Sequence, residues 1–427
     1  MIINSISARL TQRITLYMVF IALNMSVSAF AEELDLPDPL KQADGTTVMT
    51  PTQWEQRRAE IISLYETHVH GRQIKLAVKP SFELRSEKLD ALEGLAVRRE
   101  IRIYFMGDKA GPWMDLLVYV PKNSPAKVPA FFGFNYMGNQ SVTNEDDVAV
   151  SPAWIRHVPN VLGIVNNHAT AENRGAQARR WPIELILRSG YALATACFGE
   201  VEPDDSSGWT RSPLRTALGL RTSGEREIGD VGAITIWAFA AARALDCLET
   251  LPEIDGTRVA ITGHSRMGKT ALWAAALDRR FALVVSNDSG EGGAALARRK
   301  VGERIANSIK SSGYWYTPRY REYIDREEAL PVDAHFLMSL IAPRPLYVSS
   351  ATQDLGADPE GEFLATLNVS NVYALFGHHG LDVEMMPVPD ISVGDRVGYH
   401  IRTGPHDILE ADWKYHLNFA DRFLKKL

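Results

Sequence analysis

Cysteine is almost missing from this sequence: Cys197 and Cys247 are the only two in 427 residues. Two cysteines build no disulfide framework, so stability must come from a packed core. One bridge between them and a pair of buried thiols fit the sequence equally. An excess of basic charge is also missing. Lys and Arg number 46 against 52 Asp and Glu, a formal net charge of −6. That excludes the electrostatic footprint of a nucleic-acid binder and leaves a mild acidity that mainly aids solubility. The 11 histidines show no zinc-ligand spacing, since His68-x-His70 and His378-His379 match no such pattern. No metal site is expected. Repeats and low-complexity linkers are absent too, which favours one domain. After residue 31 no apolar run is long enough to cross a bilayer.

The first 31 residues read differently from the rest. Arg9 and Arg13 precede an apolar run from Ile14 to Phe20 that continues to Ala31. It closes on Ala29-Phe30-Ala31 before Glu32 and Glu33. This is the pattern of a signal peptide cleaved after Ala31, broken at Asn24 and Ser26 where a membrane anchor would continue. Residues 1–31 are therefore expected to be a leader, 32–427 a single catalytic domain, and the protein secreted or periplasmic and monomeric.

Residues 32–427 open with a helix, Pro51 to Tyr65, and two strands, Arg98–Phe105 and Met114–Tyr119, around Gly107-Asp108. Apolar strand-like runs then alternate with helical patterns. Strands are expected at Val128–Phe134, Ala192–Cys197, Val259–Thr262, Ala282–Ser286, Pro345–Ser350 and Val383–Pro387. Helices are expected at Pro182–Arg188, Val231–Leu251, Thr270–Ala276, Leu337–Ile341 and Ile408–Leu424. Alternation of this kind predicts an α/β protein with a mostly parallel central sheet and an antiparallel edge. Sites in such sheets form at the carboxyl ends of strands.

Arg258–Thr270, R-V-A-I-T-G-H-S-R-M-G-K-T, carries the strongest chemical signal. A strand runs into Gly263-His264-Ser265 and a helix follows at once, as a nucleophile elbow requires. The glycine permits a tight turn that lifts the serine hydroxyl off the sheet. The helix start aims backbone N–H groups, that of Arg266 first, at developing negative charge. The second glycine, Gly268, falls one residue later than in G-x-S-x-G. Read alone, the stretch also fits a serine N-cap in a βα loop. A nucleophilic serine needs a base and an orienting acid, in the chain order serine, acid, histidine for an α/β hydrolase. His406, in Gly404-Pro405-His406-Asp407 ahead of the terminal helix, is the expected base, preferred over His400 and His416. Asp354 and Asp288 each follow a strand, and the sequence does not choose between them.

With the late glycine, the arginine after the serine and the lysine beyond, G-H-S-R-M-G-K resembles the G-x-S-R-x-G-K signature of the glucuronoyl esterases, carbohydrate esterase family 15. Further matches are Arg180-Trp181-Pro182, N-D-S-G-E-G-G from Asn287, A-R-R-K-V-G-E ending at Glu303, I-A-P-R-P from Ile341, A-D-P-x-G-E-F from Ala357 and R-T-G-P-H ending at His406. The resemblance covers the chain from about residue 110 onward and is strongest to the bacterial branch. It implies an α/β-hydrolase three-layer αβα sandwich and an esterase that cuts 4-O-methyl-D-glucuronic acid on xylan from lignin alcohols. It assigns Arg266 to oxyanion stabilisation and Lys269 and Glu303 to the uronic-acid hydroxyls. Where many bacterial members carry a sugar-stacking tryptophan two residues after the loop aspartate, this sequence has Gly356. Trp315 is a candidate to line the cleft instead, although its pattern fits a buried core tryptophan better, and Trp181 is read as a pocket wall with plain core as the alternative. No cofactor is implied, because nucleophile, base and oxyanion donors suffice. An acetyl-xylan or other small acyl esterase on the same fold is the alternative. It fits Arg266 and Lys269 less well, since neutral acetyl groups need no such charge. A non-catalytic carbohydrate-binding protein on a degenerate hydrolase fold is a further alternative.

Overall fold

A computed structural model describes residues 34–425 apart from 76 and 158–160. The leader read from residues 1–31 lies outside the described residues. Asp38–Leu427 form one compact unit.

The frame is a ten-stranded sheet. Its strands are β1 (Ser81–Asp90), β2 (Ala96–Tyr104), β3 (Trp113–Pro121), β4 (Val128–Asn135), β5 (Ala192–Cys197), β6 (Ile254–His264), β7 (Leu283–Asn287), β8 (Leu346–Ala351), β9 (Val393–Gly394) and β10 (Val397–Arg402). They lie in the order β1-β2-β3-β5-β4-β6-β7-β8-β10-β9. The run from β5 to β10 is parallel. The β1, β2, β3 edge is antiparallel, as is the short β9. Strands β4, β5, β7 and β8 are buried throughout, which is why they read as mainly apolar runs.

Helices cover the sheet. Helix α1 is Pro51–Tyr65, with Thr50 as its N-cap accepting from Gln53 N–H at 3.3 Å. Helices α2 (Ile183–Arg188) and α7 (Glu410–Leu424) pack with Phe131, Leu193, Ala260 and Tyr347 of the strands into one buried cluster. Helices α3 (Ala233–Leu248) and α4 (Arg266–Leu277) are tied together by Trp273 Nε1, which donates to Thr235 Oγ1 at 3.0 Å. This is the α/β-hydrolase fold, a three-layer αβα sandwich. Among the described residues no helix is long and apolar enough to cross a membrane.

The structure departs from the expected strands at both ends of the sheet. Val383–Pro387 is not a strand, and Met385 within it is 79% exposed. Pro387 and Pro389 supply no ladder donors there. The strand in that region is β10, V-G-Y-H-I-R, whose polar residues hide it from an apolar scan. They are buried because His400 and Arg402 converge on Asp412 of α7 at 2.9 Å each. Strand β1 gives no apolar signal for the complementary reason: it is a partly exposed edge strand with no apolar run. Cys197 and Cys247 are both buried free thiols. Burial pushes both up to about 12, so neither is a thiolate nucleophile at neutral pH.

Candidate active site

The turn between β6 and α4 holds Ser265 at φ 55°, ψ −130°, a conformation that L-residues rarely adopt. Three local contacts impose it. Ser265 N–H donates to the carbonyl of Asn287 at 2.8 Å, pinning the turn to the end of β7. A Cβ on Gly263 would lie 2.0 Å from the Met267 carbonyl oxygen, so only glycine lets the strand pass so close to the helix. A Cβ on Gly268 would lie 2.8 Å from Ser289 Cβ, so the late glycine seats the first turn of α4 against the loop after β7. As the first residue of α4, Arg266 has no intrahelical acceptor for its N–H.

His406 enters from the loop between β10 and α7. Its Nδ1 lies 2.5 Å from Asp354 Oδ2, and Asp354 sits on the loop following β8. That contact orients the ring and leaves Nε2 as the free nitrogen. The loop itself is pinned on both sides. Gln353 N–H donates to Gly404 O at 2.9 Å, and Arg402 donates to Pro405 O at 2.9 Å. Arg180 pairs with Asp407 at 2.6 Å, with Arg179 as a second partner of the same carboxylate. His400 is buried between Asp412 (2.9 Å) and Tyr347 (3.1 Å), and His416 is buried against Ser349 (3.0 Å). Neither lines the cleft at Ser265.

Asp288 and Asp354 both approach His406: one oxygen of each carboxylate and a ring nitrogen lie within 4.8 Å of one another. The hydrogen bond to the ring goes to Asp354. Asp288 is buried and accepts Asp407 N–H at 3.2 Å. Burial first, then the Glu362 and Asp354 carboxylates, pushes its carboxyl well above the usual range, so it favours the neutral form.

A cleft of about 390 Å³ is lined by Ser265, His406, His264, Arg266, Tyr136 and Phe198, among others. His264 packs on His406 with ring centroids 4.4 Å apart. Burial, then His406 and nearby arginines, hold it well below the ordinary histidine value, so it forms a neutral floor. The Arg266 guanidinium pairs with Asp204 at 3.3 Å and lies 5.0 Å from the Tyr136 ring and 5.2 Å from the Trp315 ring. Asp204 also accepts from Tyr314 OH (2.7 Å) and Trp315 Nε1 (2.8 Å). Sequence reasoning missed His264 and Asp204. Adjacency to Ser265 at a strand end could have flagged His264, whereas Asp204 carries no local signal.

Other expected site residues sit less openly. Trp315 is buried behind Arg266 and is not among the cleft-lining residues. Lys269 is buried too, with Nζ donating to Ser289 O at 2.5 Å and to Glu291 O. Glu303 is half-buried, its N–H donating to Gly356 O at 2.7 Å. The expectation for Trp181 is corrected: it belongs to the core cluster, 6.1 Å from Trp413, and its edge lines a different cavity. Its large apolar ring completes the packing of α2 on the sheet.

Behind the site, Glu362 accepts from Ser289 N–H (2.8 Å), Gly290 N–H (2.9 Å) and Ser350 Oγ (2.6 Å). Burial pushes its carboxyl up to about 7 from 4.5. The folded state therefore binds the proton more tightly than the unfolded chain. Its stabilising effect is complete below pH 4.5 and is lost as pH rises through about 7. Between pH 5 and pH 8, denaturant unfolding should show wild type losing up to about 3 kcal/mol that Glu362→Gln keeps. Equal pH dependence in the two proteins would refute this.

A family model described as "Glucuronyl esterase, fungi" matches residues 226–377. A carbohydrate esterase from an unknown prokaryotic organism is 39% identical over 391 residues, 91% of this chain and 89% of that one. The 4-O-methyl-glucuronoyl methylesterase 1 of Wolfiporia cocos is 32% identical, over 91% of this chain and 80% of its own. Among solved structures, a glucuronoyl esterase from Solibacter usitatus superposes with a TM-score of 0.86 at 38% identity, covering 93% of this chain and 100% of that one. A promiscuous family 15 esterase from a marine bacterial metagenome gives 0.85 at 39%, covering 92% and 98%.

Proposed function

Because this chain belongs to carbohydrate esterase family 15, a family of carboxylic ester hydrolases, we propose that it hydrolyses esters of 4-O-methyl-D-glucuronic acid, the crosslinks between glucuronoxylan and lignin, through an acyl-enzyme on Ser265. The observation that carries the mechanism is the convergence of Ser265, the Asp354-bound His406 and Arg266 on one cleft.

His406 Nε2 takes the Ser265 proton as Oγ attacks the ester carbonyl. The imidazolium that forms is stabilised by Asp354. The new oxyanion is met by the Arg266 N–H and by the guanidinium that Asp204 holds in place. His406 then protonates the departing alcohol, and a water repeats the sequence on the acyl-enzyme. Glu303 and the one Lys269 N–H not engaged by carbonyls bind uronic-acid hydroxyls. Export of the protein rests on the leader pattern of residues 1–31.

The test compares benzyl glucuronate with p-nitrophenyl acetate. Cleavage that strongly favours the uronate ester is the expected result. Fast acetate turnover with an inert uronate ester would overturn the substrate assignment and leave a general acyl esterase.

A further inference from the structure

The clamp on Arg266 extends beyond its pair with Asp204. Arg156 lines the same cleft, on the segment that also brings Trp154 and Ile155 to its wall. Open space borders this segment on two sides, since Trp154 lines both the cleft and a second cavity of about 810 Å³. Arg156 is itself exposed, so packing does not fix its guanidinium. Hydrogen bonds do. Its Nη2 donates to the Asp204 main-chain carbonyl at 3.1 Å and to the Tyr314 hydroxyl at 2.9 Å. Tyr314 donates onward to Asp204 Oδ1 at 2.7 Å, and Trp315 Nε1 donates to the same oxygen at 2.8 Å. The other carboxylate oxygen, Oδ2, faces Arg266 Nε at 3.3 Å. Asp204, Tyr314 and Trp315 are all buried, so water does not loosen these links.

One carboxylate thus serves two guanidinium groups, Arg266 directly and Arg156 through a phenol hydroxyl. A hydroxyl that accepts from a cation becomes a stronger donor, so Arg156 draws the charge of Asp204 toward Oδ1. Oδ2 then pulls less strongly on Arg266. Among the described residues Arg266 Nε has no hydrogen-bond partner, so the contact with Asp204 is an ion pair that holds the guanidinium in place and leaves its donors unspent. A guanidinium placed in this way keeps its positive charge for the oxyanion that forms at the ester carbonyl. Resting on the function proposed above, we infer that Arg156 is a positioning residue for Arg266, acting through Tyr314 and Asp204 to keep that guanidinium fixed and charged toward the reacting carbonyl.

The experiment is a double-mutant cycle on benzyl glucuronate with Arg156→Met, Arg266→Met and the pair combined. Arg156→Met should lower kcat about tenfold and change KM by less than about twofold, a coupling in the range of residues that share one hydrogen-bond network. In the Arg266→Met background the same substitution should change kcat by less than about twofold. Tyr314→Phe cuts the middle link. It should reproduce the loss, and adding Arg156→Met to it should cost nothing further. A fold defect would lower kcat in either background, so the cycle separates positioning from damage. Additive losses of Arg156 and Arg266 overturn the inference. So does an unchanged kcat, or a change confined to KM, which would make Arg156 a direct substrate contact. Failure of the underlying function looks different: wild type would then show no Ser265-dependent cleavage of benzyl glucuronate.

Discussion

Replacing Ser265 with alanine is expected to lower kcat on benzyl glucuronate by about 10⁴- to 10⁶-fold, the range seen when a serine hydrolase loses its nucleophile. The variant should fold normally. The φ of 55° at this position is enforced by the Ser265–Asn287 backbone bond and by close packing at Gly263 and Gly268, none of which involves the hydroxyl. Alanine suffers the same backbone strain as serine, so stability measured by thermal unfolding should change little. The oxyanion donors of Arg266 and the cleft remain, so substrate should still bind. Retention of more than about a tenth of wild-type kcat would show that a bound water or another group performs the attack, and the acyl-enzyme would be abandoned.

Removing the orienting acid gives the second large effect. Asp354→Asn should cost about 10⁴-fold in kcat, because the amide can hold the wrong imidazole tautomer and cannot stabilise the imidazolium. Asp288→Asn should cost less than about tenfold. Its carboxyl is already biased to the neutral form by burial, and asparagine is nearly isosteric with that form. The Asp407 N–H now bonded to Asp288 at 3.2 Å can still find an amide oxygen. The two single variants, assayed across pH 5 to 9, separate the roles. The opposite ranking would make Asp288 the partner of His406, with the 2.5 Å contact to Asp354 irrelevant in the reacting state. Equal large losses would mean that the two acids act as one coupled unit.

Much of the site could be read from the chain because its pieces are local. The strand, glycine, serine and helix of the elbow lie within Arg258–Thr270, and each step obeys a short-range rule of backbone geometry. The parallel strands were legible because burial on both faces demands mainly apolar runs. Where a strand buries polar residues, as β10 buries His400 and Arg402 against Asp412, the same rule fails, since the compensating partner lies on another element. Trp181 shows the converse: a short motif leaves it open between pocket wall and core, and only packing against Trp413 places it in the core.

By itself, the sequence determined the fold class, the elbow with Ser265 and the loop position of His406, because periodicity and turn chemistry are properties of neighbouring residues. Tertiary structure alone decided that Asp354 and not Asp288 bonds the His406 ring, that Asp204 clamps Arg266, and that Trp154 joins two cavities. The first two contacts join residues more than fifty positions apart in the chain. Which side chains meet there depends on how the strand ends are ordered across the sheet, and no local pattern encodes that order.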